Sequence, residues 1–481
     1  MTTEKKKVDM LYVHIAVMLA LIIGFHFVPT VGSITPVGMK LVGIFLAMLY
    51  GWTTCGMLWP SILGLLAVPF SGAITMKEFM MASFGNETVV YIMFLFVFTA
   101  VIETVGLIEY IANKMISFKF LNNRPWAFSA FLLIGAYLSS AFINMFASIF
   151  VFWGIIYIVA KQFGFKPYEK YPTLMILGVT LASGIGGSVM PYKPITLVIL
   201  SAYSTAAGVP MDFFKYICFS LPVSFLVMLF YVLLCRFVFR PDIKALPQIS
   251  VDFADQDALV LNKKQKMAIA FLGVFIFLMV APSMLPGSWI LTTFLKNLGN
   301  AGCLLALLVF MQWVKVDGER FLNFYAMAKH IDWNIYLTMA FVIPFASIFT
   351  GDGTGVKETI IQVLQPFLSG LSPIPFLVLT LLIATVLTNF ANNMVVGAVF
   401  ATLIVTIGGG LNLDTAPMIA VLAICVNLAM ATPAASPMAA VTFANAEWCK
   451  AKDIYKYALL TVLFGFVFLA IVGLAWAMIV Y

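Results

Sequence analysis

Apolar blocks of about 20 residues, parted by short polar segments, recur from Leu11 to the C-terminus. Most are long enough to cross a ~30 Å hydrocarbon core as a helix, and none shows the two-residue alternation of a barrel strand. In order they predict about 11 spans, near 11–28, 37–56, 57–70, 89–112, 172–206, 215–239, 266–285, 288–313, 333–351, 416–446 and 457–480. The first follows MTTEKKK and is too long and smoothly apolar for a cleaved leader, so it is read as a retained span. Basic clusters flank alternate block ends: Lys5 to Lys7; Lys114, Lys119 and Arg124; Lys161, Lys166 and Lys170; Arg236 to Lys266; Lys315 and Arg320; Lys450, Lys452 and Lys456. By the positive-inside rule these ends face the cytoplasm, which places the N-terminus inside and the C-terminus outside.

Two apolar stretches do not fit this count. Residues 125–160 carry no charge, yet Ser139, Ser140 and Asn144 sit midway along them. As one helix the stretch would be about 54 Å long, too much for one crossing, while two crossings need about 40 residues before any turn. Basic clusters at both ends also put both ends on one side. A re-entrant hairpin with Asn144 near its tip is expected, buried in protein or lining a wet cavity, where irregular backbone is tolerated. The second stretch, 371–407, lies in a neighbourhood poor in Lys and Arg, so its ends face outward; charge-free sequence from 359 to 413 has room for two crossings as well as for a second hairpin.

The two stretches echo each other. A shift of 249 positions lays Ser139 on Thr388, Asn144 on Asn393 and Met145 on Met394, and also pairs Phe84 with Trp333, Glu103 with Asp352 and Gly106 with Gly355. With opposite orientations assigned by charge, the copies form an inverted repeat, an architecture of secondary transporters. An N-terminal half, 1–240, and a C-terminal half, 266–481, would be joined by the polar linker 241–265.

Each hairpin is followed by a span broken by proline: ASGIGGSVMPYKPITLVI (182–199) and NLAMATPAASPMAAVTF (427–443). Pro191, Pro194, Pro433 and Pro437 remove donors and free carbonyls inside the membrane, and freed carbonyls can ligate a cation. The resumed half-helix presents a positive dipole end suited to a carboxylate or sulfate. Lys193, inside the first break, is an intramembrane charge and a functional candidate by default.

Composition agrees: of 481 residues 63% are hydrophobic and only 10% charged, against roughly 25% charged in a soluble domain. The net charge of +7 comes from Lys and Arg clustered between blocks, so it is read as a topology signal and not as a nucleic-acid surface. The six cysteines show no paired spacing, and His14, His26 and His330 lie near block ends, which argues against a zinc site. An enzyme would need acids, bases or metal ligands clustered at one depth, and none is visible.

At these residues the chain resembles the divalent anion/sodium symporter family, which includes dicarboxylate, citrate and sulfate carriers within the wider ion transporter superfamily. The likeness covers nearly the whole chain, including VYIMFLFVFTAVIETVGLIEYIANKM, its counterpart HIDWNIYLTMAFVIPFASIFTGDGTG, both hairpins, and the IGG-x-x-x-P pattern of Ile185 to Pro191. It implies a scaffold domain, a transport domain moving as an elevator, a homodimer in the cell membrane, and no resident cofactor, with Na+ as coupling ion. It also implies a Ser-Asn-Thr tripeptide at each hairpin tip; here these read Ile143-Asn144-Met145 and Asn392-Asn393-Met394. The substrate would then meet Asn144, Met145, Asn393 and Met394, with Lys193, Pro194, Ser436 and Pro437 of the breaks. Sodium would meet Ser139, Asn144, Gly186 and Gly187 in one half and Thr388, Asn393 and Ala431 in the other. Met145 and Met394 cannot donate a hydrogen bond, Lys193 stands where relatives carry a small residue, and Met438-Ala439 replaces Pro-Asn.

The expectation is an anion carrier, most simply of a di- or tricarboxylate, in which Lys193 pairs with the substrate or replaces one sodium. A cation/proton antiporter of the same superfamily is the alternative. Glu103 and Asp352 read as caps or interfacial residues near span ends, and DGERFLNFYAMAKHID (317–332) as an amphipathic interfacial helix.

Overall fold

The computed structural model describes residues 10–118, 121, 123–243, 260–351, 353–356, 358–359, 362, 373–391, 393–410, 413–433 and 435–481. The N-terminal half runs α1 (Met10–Gly24), α2 (Pro36–Thr54), α3 (Leu58–Phe70), α4 (Met76–Phe84), α5 (Glu87–Thr104), α6 (Leu107–Ile116), α7 (Pro125–Phe142), α8 (Met145–Gln162), α9 (Lys170–Gly186), α10 (Pro194–Ala207) and α11 (Phe213–Leu233). After α12 (Lys263–Met284) and α13 (Ile290–Trp313) come two short strands, β1 (Lys315–Val316) and β2 (Glu319–Arg320), then α14 (Phe324–Ala328) and α15 (Trp333–Phe349). The C-terminal half closes with α16 (Pro373–Thr388), α17 (Asn393–Gly410), α18 (Ala416–Cys425), α19 (Pro437–Ala444), α20 (Ala451–Phe468) and α21 (Leu474–Val480). Among the described residues, seven helical stretches are long and apolar enough to cross a membrane. The chain is an all-α polytopic membrane protein.

Prolines open the elements that matter most: Pro125, Pro194 and Pro437 each sit in the first helical turn, where a missing N–H costs nothing. The first hairpin is α7 and α8, turning at Ile143 and Asn144, with the Ser148 hydroxyl donating back across it to the Ala136 carbonyl at 2.8 Å. Each arm is 18 residues, about 27 Å. Helix α9 runs beside α7 in the same direction: Ser129 bonds Tyr171, Gly178 meets Leu133, and Gly186 meets the Tyr137 carbonyl. Beyond the break at residues 187–193, α10 continues for 14 residues, so the chain reaches well past the hairpin tip. Ile143 at that tip is 1% exposed. The tip ends inside protein, as a re-entrant element must.

The second half repeats this with the chain reversed. Thr180 of α9 bonds Thr442 of α19 at 2.9 Å, Gly184 packs on Met438, and the Tyr168 hydroxyl donates to the Ala446 carbonyl. As numbers rise along α9 they fall along α19, so the two broken helices cross antiparallel. The paired glycines Gly106 and Gly355 both hold left-handed backbone, with φ of 73° and 69°. At Gly355 a Cβ would also lie 1.7 Å from the Ser33 carbonyl oxygen, which leaves glycine as the fitting residue.

Two expectations need correction. The span expected at 89–112 is two helices, because left-handed Gly106 ends α5 and opens α6. The interfacial helix expected over 317–332 is an antiparallel pair joined by Asp317 and Gly318, with only the short α14 behind it. Both turn residues have positive φ, 52° and 86°, the conformation that Asp-Gly favours and that suits a two-residue hairpin. Lys263 and Lys264 pin this hairpin to α12 through Asp317 (2.6 Å) and Glu319 (2.8 Å), and the Lys264 ammonium holds the Glu319 carboxyl below its usual range. The spans at 172–206 and 416–446 are each two helices about an irregular break, as their prolines predict. Asp352 and Asn392 lie outside the described residues, as does most of the linker, residues 244–259.

Candidate functional site

The first break is held open by its neighbours. Tyr216 and Ser220 of α11 donate to the Ser188 and Val189 carbonyls at 2.6 and 2.7 Å, and Thr196 reaches Ser188 at 3.4 Å. Side chains thus satisfy carbonyls that no helix uses, which fixes the irregular backbone at low cost. At its end Tyr192 and Lys193 diverge. The Tyr192 ring stands edge-on to Phe275 of α12 at 4.6 Å, while the Lys193 Nζ donates to the Ile143 carbonyl at 2.8 Å.

That bond joins the break to the hairpin tip. Ile143 caps the C-terminus of α7, where carbonyls lack helical partners and the dipole is negative. Lys193 is 7% exposed, and desolvating an ammonium costs several kcal/mol. One carbonyl bond compensates a buried ammonium only in part, which favours an anion close by.

A cavity of about 230 Å³ opens at this point, lined by Asn144, Met145, Gly187, Lys193, Pro194 and Glu103 among others. Two helix N-termini meet there. The Asn144 side chain caps α8, accepting from Phe146 N at 2.8 Å and Ala147 N at 3.1 Å. At α10 the N-cap is Lys193, which makes no capping hydrogen bond through its side chain, so that helix start keeps donors to offer. An ammonium beside two positive dipole ends is a place for a carboxylate.

Of the residues expected around a cation, Ser139 is fully buried with its hydroxyl unpaired, while Gly186 and Gly187 end α9 behind the tip. The second half forms its own cluster. Thr388 donates to the Val426 carbonyl at 3.1 Å, and Ser436 donates to Ala429 and caps α19 ahead of Pro437. Asn393 is buried at the start of α17 with its Nδ2 unpaired, and Met394 follows it, buried. Ala431 N donates to Asn389 Oδ1 at 2.8 Å.

The clusters touch where the breaks cross: a Cβ on Gly184 would stand 3.4 Å from the Asn427 carbonyl and 2.7 Å from Met438 Cε. The cavity itself belongs to the first cluster. Asn144, Met145, Lys193, Pro194 and Gly187 line it; Asn393, Met394, Thr388, Ala431, Ser436 and Pro437 do not.

Sequence reasoning missed Asn389, which takes Met430 N and Ala431 N and whose carbonyl accepts from Thr432. A polar residue amid TNFANN was the available signal. Tyr216 and Ser220 were missed because their partners are carbonyls in another helix. A larger cavity, about 850 Å³, lies at the other end of α5 beside Glu87, Asp212 and Lys296, and holds none of the expected residues. Among the described residues, no group of three or more His, Cys, Asp or Glu is placed to hold a metal.

Comparison with known proteins bears on this arrangement. A family model described as citrate transporter matches residues 46–426. An uncharacterized transporter of Methanocaldococcus jannaschii is 25% identical over 292 residues, 58% of this chain and 59% of that relative, so under two thirds of the relative's length is spanned. The crystal structure of the YdaH transporter of Alcanivorax borkumensis, described as having an unusual topology, matches with a TM-score of 0.62 at 15% identity, covering 92% of this chain and 98% of that one. At that identity the likeness is one of fold.

Proposed function

Because the chain belongs to the citrate transporter family, a group of secondary membrane transporters, we propose that it carries citrate or a close di- or tricarboxylate across the cell membrane. The observation that carries this reading is the buried Lys193 ammonium at the hairpin tip, facing a cavity with Asn144 and Met145. One carboxylate of the substrate would pair with Lys193 and the uncapped start of α10, in a space smaller than the ~300–1,000 Å³ of drug-sized sites. Asn144 keeps its amide Nδ2 for a second carboxylate, since its oxygen is engaged in capping.

In this reading Lys193 also takes the place of one coupling cation. Its ammonium sits against the carbonyl of Ile143, whose N–H bonds the Ser139 carbonyl, in the cavity that Gly187 also lines; the resemblance places sodium at Ser139, Gly186 and Gly187. The second cluster, Thr388, Asn393 and Ala431, keeps oxygen ligands for Na+ as coupling ion. Transport would follow an elevator motion of the hairpins and broken helices as a body within a homodimer.

The test is uptake into proteoliposomes across citrate, dicarboxylates and sulfate, with a sodium gradient, with a pH gradient and with neither. Citrate or a relative should accumulate, and at least one gradient should drive it. Cation flux driven by pH with no organic anion moved would instead favour a cation/proton antiporter.

A further inference from the structure

Glu103 is oddly placed. It is next to last in α5, at the end where the dipole disfavours a carboxylate, and among the described residues its side chain makes no hydrogen bond or ion pair. It is half-buried, lines the hairpin-tip cavity together with Lys193, and lies close enough for the two charges to interact. His330 and Asp332, before α15, also line the cavity, with Met327 of the same segment against Thr104, and Asp332 is occupied in capping Asn334 N and Ile335 N. A cap would not need a cavity, and a salt bridge would need contact. Glu103 does neither.

We propose that Glu103 is a specificity-determining residue: its carboxylate is an internal anion that shares the cavity with Lys193 and competes with substrate carboxylate for the ammonium. This rests on the reading of Lys193 as the anion-binding charge. With the site empty, Glu103 offsets the buried ammonium through space. When substrate enters, its own carboxylate takes that role and is repelled by Glu103, so an anion whose only contact is Lys193 gains too little to bind. The carboxylate thus admits anions with a second carboxylate able to reach the starts of α8 and α10.

The experiment is equilibrium binding of citrate and of a monocarboxylate to the purified full chain. It uses the wild type, Glu103→Gln, Glu103→Asp, Lys193→Arg, Lys193→Met and the Glu103→Gln pairs with each Lys193 variant. Glu103→Gln should tighten citrate by about tenfold and bring the monocarboxylate into measurable range, since removing one repulsive charge at this depth is worth a decade. Glu103→Asp, which keeps the charge, should stay near wild type. The gain should persist beside Lys193→Arg and shrink beside Lys193→Met, where no ammonium is left to compete for and only direct repulsion is relieved. A Glu103→Gln variant that binds citrate no better, or gains equally with Lys193→Met, overturns the inference and leaves the Lys193 reading standing. Undiminished citrate binding by Lys193→Met overturns that reading itself.

Discussion

Replacing Lys193 with methionine is expected to lower citrate uptake by about 100-fold or more while leaving the protein as stable as before, or more so. The two effects separate because they have different origins. The ammonium is 7% exposed and donates at 2.8 Å to one carbonyl, so the folded protein carries an incompletely compensated charge. A methionine of similar length removes that desolvation cost, and replacing buried charge with apolar volume is often neutral or stabilising. The Ile143 carbonyl it orphans costs about 1–3 kcal/mol, which partly cancels the gain. Binding has no such offset, since loss of the partner of a buried carboxylate costs about 3–5 kcal/mol, a hundredfold or more in affinity. Thermal unfolding in detergent and uptake in proteoliposomes read the two effects apart. Lys193→Gly, which opens space at the tip, should in addition make uptake depend more strongly on sodium if the ammonium stands in for an ion. Equal sodium dependence in both proteins would remove that role.

Gly186→Ala should impair uptake and lower the melting temperature together. A Cβ at Gly186 would lie 2.6 Å from the Tyr137 carbonyl oxygen and 3.1 Å from Ser140 Cβ. The nearest atom is backbone of α7, so relief requires α7 to shift off α9, and overpacking of this kind costs about 1–3 kcal/mol. The shift is transmitted to the site, because Ser140 donates to the Ser183 carbonyl at 2.5 Å and the α7 terminus carries the Ile143 carbonyl that receives Lys193. Gly154→Ala in α8 is the control. Nothing lies within 4 Å of a Cβ there, and alanine should stabilise the helix by about 0.5–1 kcal/mol with uptake retained. Comparable losses from both changes would mean that helix composition matters here and close packing of α7 on α9 does not.

Much of this fold can be read along the chain, and the reasons are local. Hydrophobic block length separates a buried hairpin from a crossing, and prolines at positions 125, 194 and 437 mark helix starts by their missing N–H. Lys193 stands out because an ionisable residue between apolar blocks is rare. What is not legible depends on register and on packing. The shift that lays Asn393 on Asn144 fails at the tips: α7 and α8 are joined by two residues, α16 and α17 by four. Asn144 therefore caps its helix, Asn393 lies inside the first turn of α17, and Asn389 clamps the second break. Glu103 reads as a span-end cap in one dimension, and tertiary packing alone puts it in the cavity with Lys193. The resemblance to divalent anion/sodium symporters resolves, in the family match, to citrate transporters of the same wider superfamily. Asp317-Gly318 was a hairpin signal outweighed by the amphipathic look of its surroundings.

The most direct test is the density map of the purified protein imaged with citrate. The account predicts added density in the cavity at the first hairpin tip, within hydrogen-bond reach of Lys193 Nζ and Asn144. Density in the larger cavity beside Glu87, Asp212 and Lys296, with the space at Lys193 unchanged, would contradict it.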